Sequence, residues 1–207
     1  MAVGQESRGP EQWPLTVLIV DESGSMKHRE APQWLQQHLT ADSGSGEVMY
    51  GLVAFAEKAR VIDSGAGTLW PASGLADGFA GLALTNGIED GLVAARFAWQ
   101  EFGVFPDAAQ HYLLVTDEDR DVVDHSLDVE ELAADLRASG AVVDVMISIS
   151  LRCGSKRAMG LTRSGMAYVA DDAGGFTLCE GGYVHGRARV PVSEYVHLAL
   201  GTGGMIW

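Results

Sequence analysis

Apolar positions follow two periods along this chain, and they alternate. Residues 15–20 (LTVLIV) form an unbroken apolar run with β-branched members, the pattern of a strand buried on both faces. The run ends abruptly in Asp21-Glu22-Ser23-Gly24-Ser25. Pro32 then opens a predicted helix in which Trp34, Leu35, His38 and Leu39 share a face. After a Ser-Gly turn at 43–46, residues 48–55 (VMYGLVAF) read as a second strand and 59–62 (ARVI) as a short third. Only Glu57-Lys58 and their neighbours connect these two, so they should form an antiparallel hairpin. Residues 63–84, rich in Gly, Ala and Ser, read as loops and turns.

A long helix follows. Ile88, Leu92, Ala95, Trp99 and Phe102 recur at near-helical spacing, with Thr85 or Asn86 available as a cap. Residues 111–116 (HYLLVT) form the next strand, again ending in an acidic loop, Asp117-Glu118-Asp119-Arg120-Asp121. Asp128 with Glu131 resembles a capping box, and Val129, Leu132, Ala133 and Leu136 make the inner face of the helix it starts, with Gly140 as its stop. Residues 142–149 (VVDVMISI) are another strand. The pattern blurs over 151–189, which reads as an irregular insertion with room for one hairpin. Residues 193–200 give a short helix stopped by Gly201, and 203–207 begin a last strand. The expected organisation is a polar lead-in over 1–14 and one domain over 15–207. A chain that stops within a strand suggests a domain of a longer polypeptide.

Strands alternating with helices imply an α/β fold: a Rossmann-like, doubly wound, mostly parallel central sheet with one antiparallel edge strand and helices on both faces. The 207 residues suit one such domain. Fourteen Lys and Arg against 28 Asp and Glu leave a formal net charge of −14. That sign disfavours nucleic acid, which needs a basic footprint, and an anionic membrane surface; cations and basic patches are the favoured partners. No stretch is long and apolar enough for a transmembrane helix, and the N-terminus lacks the apolar core of a signal peptide. Cys153 and Cys179 make either one staple or two buried thiols.

In sheets of this type, ligands bind beyond the carboxyl ends of the strands. Asp21, Ser23 and Ser25 lie in a tight loop at such an end, where alternate residues can aim their oxygens at one centre. A carboxylate and two hydroxyls are hard ligands, suited to Mg²⁺, Mn²⁺ or Ca²⁺ and poorly suited to zinc. Alone, the motif also fits an Asx-turn with Ser25 capping a helix.

Asp21-Glu22-Ser23-Gly24-Ser25-Met26 after an apolar strand resembles the metal-ion-dependent adhesion site of von Willebrand factor A domains. Two further places carry the resemblance: Thr85-Asn86-Gly87 before the long helix, and Leu113-Leu114-Val115-Thr116-Asp117 at the end of a later strand. Residues 50–60 and 198–207 resemble other strands and the last helix of that family, so the similarity runs in order along nearly the whole chain. Glu118 departs from it, standing where the family often has Gly, and 151–189 is longer than the usual connection.

The resemblance implies one divalent cation held by Asp21, Ser23, Ser25, Thr85 and Asp117. Ser23 and Ser25 would bind it directly, Thr85 directly or through water, and Asp21 and Asp117 mainly through ordered waters. An ion held this way keeps net charge and accepts a carboxylate from an Asp or Glu of a protein partner. Asp119, Asp121 and Asp124 offer a possible second cation site at the rim, or simply a solvated acidic loop. The expected function is therefore a divalent-cation-dependent protein-binding, or adhesion, module and not an enzyme. An intracellular scaffold that assembles a multiprotein complex is the alternative, and it uses the same residues. A receiver domain would need a Lys-Pro after residues 142–149, where Ser150-Leu151-Arg152 stands. A serine hydrolase would need a G-x-S-x-G elbow, which neither Ser23 nor Ser25 occupies. Nothing places His111, His125, His185 or His197 beside a serine, and the six histidines show no zinc-site spacing.

Overall fold

The computed structural model describes residues 13–28, 49–65, 67–83, 87–105, 108–171, 173–186 and 190–207. The predicted helix over 32–39 and the Thr85-Asn86 pair lie outside these residues. The first strand, β1 (Trp13–Asp21), runs parallel between β2 (Met49–Phe55) and β5 (Ala108–Val115). β6 (Val142–Met146) continues the parallel order beyond β5, and β13 (Met205–Ile206) beyond β6. At the opposite edge β3 (Ala59–Val61) pairs antiparallel with the end of β2, as the short Glu57-Lys58 connection requires.

The alternation of side chains along β1 places it in two cores at once. Leu15, Val17 and Ile19 join one buried cluster, and Leu18 and Val20 join a second. All five are fully buried, each contributing on the order of 1.5–3 kcal/mol of burial energy. Over the first cluster lie α2 (Gly91–Phe102), α3 (Val129–Ala138) and α4 (Val190–Thr202). Against the second lie Met26 and the short helix α1 (Leu75–Ala80), through Leu75 and Phe79. Loops and turns were expected over 63–84; the structure forms β4 (Leu69–Pro71) there, paired antiparallel with β2, and then α1. Both elements are too short to show a period.

Two helix boundaries differ from expectation for local reasons. The long helix starts at Gly91 and not at Ile88, because the Asp90 carboxylate caps it, accepting from Leu92 N and Val93 N at 3.2 Å each. Ile88 is accordingly exposed. The last helix runs through Gly201 to Thr202. Gly201 serves close packing: a Cβ there would sit 2.9 Å from the Ala133 Cβ of α3. The stop is Gly203, whose φ of 93° suits glycine.

The segment expected to be irregular, 151–189, is strand-rich in its described part. It comprises β7 (Leu151–Cys153), β8 (Lys156–Ala158), β9 (Gly160–Thr162), β10 (Met166–Ala170), β11 (Phe176–Glu180) and β12 (Gly182–Val184). β9, β10 and β11 extend the main sheet beyond β13 with antiparallel pairing, so antiparallel strands stand at both edges, not at one. The full order is β11-β10-β9-β13-β6-β5-β1-β2-β3, and β12-β7-β8 form a separate small sheet. Four of the six strands have three residues, and β11 is mostly exposed, so no apolar alternation marked them.

A disulfide between Cys153 on β7 and Cys179 on β11 staples the small sheet to the edge of the large one. Digestion under non-reducing conditions should therefore recover the Cys153 and Cys179 peptides linked. Reduction should speed amide exchange across 151–184 and leave β1, β2 and β5 protected. Recovery of two separate thiol peptides from unreduced protein would contradict the staple.

Candidate metal centre

The parallel order brings the carboxyl ends of β1 and β5 side by side, with Val20 level with Val115. The loops that leave them therefore start as neighbours. Asp21 ends β1 and is fully buried. Its Oδ1 accepts from Ser23 N at 2.7 Å, which folds the loop back on itself as an Asx-turn. Its Oδ2 accepts from Thr116 Oγ1 at 2.8 Å, which ties the two strand ends together.

In front of this anchored carboxylate, three oxygens form a chain. Ser23 Oγ and Ser25 Oγ lie 2.9 Å apart, and Ser25 Oγ donates to Asp117 Oδ1 at 2.9 Å. Four of the five residues singled out in the sequence, separated by up to 96 positions, thus meet at one point: Asp21, Ser23, Ser25 and Asp117. Thr85, the fifth, lies outside the described residues. Burial pushes the Asp21 carboxyl above its usual pKa, the hydrogen bonds from Ser23 and Thr116 pull the other way, and the Asp117 charge adds to the rise.

The donor chemistry fits a hard divalent cation. It is all oxygen, two neutral hydroxyls and two carboxylates, with no imidazole or thiolate. Asp21 already spends both oxygens on protein donors, so it is placed to orient neighbours. The Ser23, Ser25 and Asp117 oxygens are the ones brought forward. Among the described residues no three or more His, Cys, Asp or Glu side chains gather in a metal-holding group. Hydroxyls are two of the three oxygens the loop brings forward.

Of the three residues weighed for a second cation site, Asp119, Asp121 and Asp124, the last two turn to partners of their own. Asp124 turns to Ser126, accepting from its N and Oγ at 2.9 and 2.6 Å, and to Arg96 at 2.9 Å. The Ser126 and Arg96 donors hold its pKa down to about 2. Asp121 Oδ2 lies 3.4 Å from Glu89 N. Asp121 and Asp124 thus serve different partners, as charges in a solvated loop do.

Three supporting residues escaped the sequence reading. Glu22 is buried and forms a bidentate pair with Arg60, at 3.2 and 2.7 Å, while Oε2 also accepts from Ala83 N at 2.8 Å. Arg120 is buried and grips Asp90 with Nε at 2.7 Å and Nη2 at 3.1 Å, and its Nη1 reaches Glu194 at 3.0 Å. Burial works against the Arg120 charge, but Asp90 and Glu194 outweigh it and hold its pKa above the ordinary value. Glu89 is buried near the same carboxylates. Desolvation first, then the charges of Asp21, Glu118, Asp121 and Asp117, raise its pKa to about 7. None of these has a spacing signature, because each depends on contacts across the fold. His111, one of the histidines weighed as a base, pairs with Asp144 at 3.3 Å, and Ser23 and Ser25 bond each other and their carboxylates.

No family model matches the chain, and no curated protein is similar to it. Solved structures are. One is a von Willebrand factor type A protein from Catenulispora acidiphila, 22% identical with a TM-score of 0.53 over 66% of this chain and 33% of that one. A second is proximal thread matrix protein 1 from the mussel byssus, 15% identical with a TM-score of 0.53 over 66% of this chain and 38% of that one. A third is an aerotolerance-related membrane protein from Bacteroides fragilis, solved with multiple mutations to serines. It is 15% identical with a TM-score of 0.54 over 93% of this chain and 89% of that one. The chain spans only about a third of the length of the first two. At these identities the likeness concerns the fold, and the fold is that of a von Willebrand factor A-like domain.

Proposed function

We propose that this chain is a divalent-cation-dependent protein-binding module and that it does not catalyse a reaction. The observation that carries the reading is the convergence of Ser23 Oγ, Ser25 Oγ and Asp117 Oδ1 in front of the anchored Asp21. Ser23 and Ser25 would ligate Mg²⁺, Mn²⁺ or Ca²⁺ directly, Thr85 directly or through water, and Asp21 and Asp117 through ordered waters. When bound, such an ion supplies an electrophilic position for a carboxylate oxygen of a partner's Asp or Glu. The chain's own part is to keep that position open. Asp21 holds the loop in its turn, Thr116 locks Asp21, and the two neutral hydroxyls would leave most of a bound cation's charge unneutralised.

The reading against catalysis rests on the same groups. The Ser23 and Ser25 hydroxyls face each other and Asp117, and the one histidine paired with a carboxylate among the described residues, His111, is committed to Asp144. Two-metal hydrolysis needs carboxylates that bridge two ions, and Asp21 spends both of its oxygens on Ser23 N and Thr116 Oγ1. The Cys153–Cys179 bridge favours an oxidising compartment, and so adhesion at a cell surface over intracellular scaffolding.

Calorimetry on chelator-stripped protein tests the centre. One Mg²⁺ or Mn²⁺ should bind per chain, and Asp117→Ala should weaken it tenfold or more. Equal binding by the variant would remove Asp117 from the metal centre. Metal-dependent turnover of phosphoesters or peptides, abolished by Asp21→Ala, would make the chain an enzyme.

A further inference from the structure

The chain's charge is unevenly distributed. Residues 151–189 hold six of the 14 basic residues and only three of the 28 acidic ones, a net charge of +3 against −17 for the remainder. The described part of this segment, 151–171 and 173–186, is the strand-rich excursion, which carries Arg152, Lys156, Arg157 and Arg163 against Asp171 and Glu180 and stands beside the candidate metal centre. A cavity of about 530 Å³ lies between them, within the size range of pockets that bury a ligand group. Asp117 lines one side; Met146, Ile149, Met159 and Trp207 supply an apolar wall; Arg157 lines the excursion side.

The Arg157 side chain is exposed and has no hydrogen-bond or ion-pair partner among the described residues, in a molecule where acid outnumbers base two to one. The other cations near acidic neighbours are engaged: Arg60 with Glu22, Arg96 with Asp124, Arg120 with Asp90. The apolar wall also continues outward. The Trp207 ring lies 5.7 Å from Tyr168, and Tyr168 meets Phe176 edge-on at 4.9 Å, with Phe176 54% exposed. From Asp117 the cavity thus passes an apolar wall and a cation to Trp207, and Tyr168 and Phe176 continue from it as a series of rings; we call this line the trough. An elongated occupant matches that shape better than a compact one.

We propose that this trough reads an acidic peptide segment of the protein partner. A bulky apolar side chain fills the cavity, a second carboxylate pairs with Arg157, and the residue that reaches the metal sits at the Asp117 end. The inference rests on the metal-dependent reading above and gives its partner a chemistry: acidic residues flanking an apolar one. It also answers how so acidic a domain attracts an acidic segment, since the local field at the excursion has the opposite sign and operates within the screening length of about 8 Å.

The test is a selection of displayed random twelve-residue peptides on the disulfide-intact protein in Mg²⁺. Enriched peptides should carry an Asp or Glu with Leu, Ile, Met or Phe at a fixed offset and a second acid beyond it. Arg157→Glu and Met159→Asp, both at exposed positions, should each weaken the best selected peptide tenfold or more while Mg²⁺ calorimetry and the melting temperature stay unchanged. Peptides that keep their acid and their EDTA sensitivity but show no apolar preference, or that bind both variants as they bind the native chain, would overturn the trough and leave the metal centre standing. A selection without enrichment overturns the trough as well. Binding untouched by EDTA and by Asp117→Ala would instead bring down the metal-dependent reading.

Discussion

Arg120→Ala should cost about 3–5 kcal/mol of folding stability, the range for breaking a buried ion pair from one side. Its side chain is 1% exposed and that of Asp90 is 3% exposed, so the loss strands a carboxylate that water cannot reach. Asp90 would keep its backbone donors at Leu92, Val93 and Val123, but no counter-charge. Glu194 on α4 would lose its partner as well, and its second oxygen already has none. Arg120 further donates to the Asp124 carbonyl at 3.2 Å, so it pins the loop that leaves Asp117 to the start of α2 and to α4. The substitution should therefore weaken Mg²⁺ binding too, by freeing the backbone that aims Asp117. Urea unfolding of Arg120→Ala, Asp90→Asn and a combined Arg120→Met, Asp90→Asn variant separates the causes. The combined variant should lose less than Arg120→Ala, because no buried charge is left unpaired. A loss below about 1 kcal/mol for Arg120→Ala would mean that the network is not held as described.

Arg120 also marks where the sequence stops being readable. It stood in Asp117-Glu118-Asp119-Arg120-Asp121, a run that gives no sign of which charge turns inward. The deciding residues, Asp90 and Glu194, are 30 and 74 positions away. The central strand was legible because a fully buried parallel strand must be apolar at every position, and 15–20 is. The Asp21–Ser25 loop was legible because its oxygen-bearing side chains are two residues apart and local geometry alone brings them together. Asp117 was found only by its place at the end of another apolar strand, and the parallel register then did the rest. The excursion was illegible because strands of three residues carry no period, and its stability comes from pairing partners and a disulfide that no window of sequence displays. Asp90 was overlooked as a cap because Thr85 and Asn86 offered the expected side chains earlier in the chain.

Glu89→Gln should stabilise the metal-free protein at alkaline pH and have little effect in acid. Glu89 has a pKa raised from 4.5 to about 7 by burial and by Asp21, Glu118, Asp121 and Asp117. The unfolded chain releases that proton near pH 4.5, whereas the folded chain holds it to about pH 7. Between those values the folded state binds more protons than the unfolded one, so stability falls as pH rises. The fall begins above about pH 4.5 and is complete above about pH 7, where a shift of that size corresponds to about 3 kcal/mol. Glutamine keeps the shape and cannot ionise, so its advantage over the native residue should grow across that window and then level off. Melting curves in EDTA from pH 4.5 to 8.5 give the comparison directly. Parallel curves for the two proteins would show that Glu89 is solvated and does not feel the neighbouring acids. A gap that opens between pH 5 and 7 would measure the cost of burying the Glu89 charge together with the negative field of Asp21, Glu118, Asp121 and Asp117, part of which a divalent ion would be drawn to neutralise.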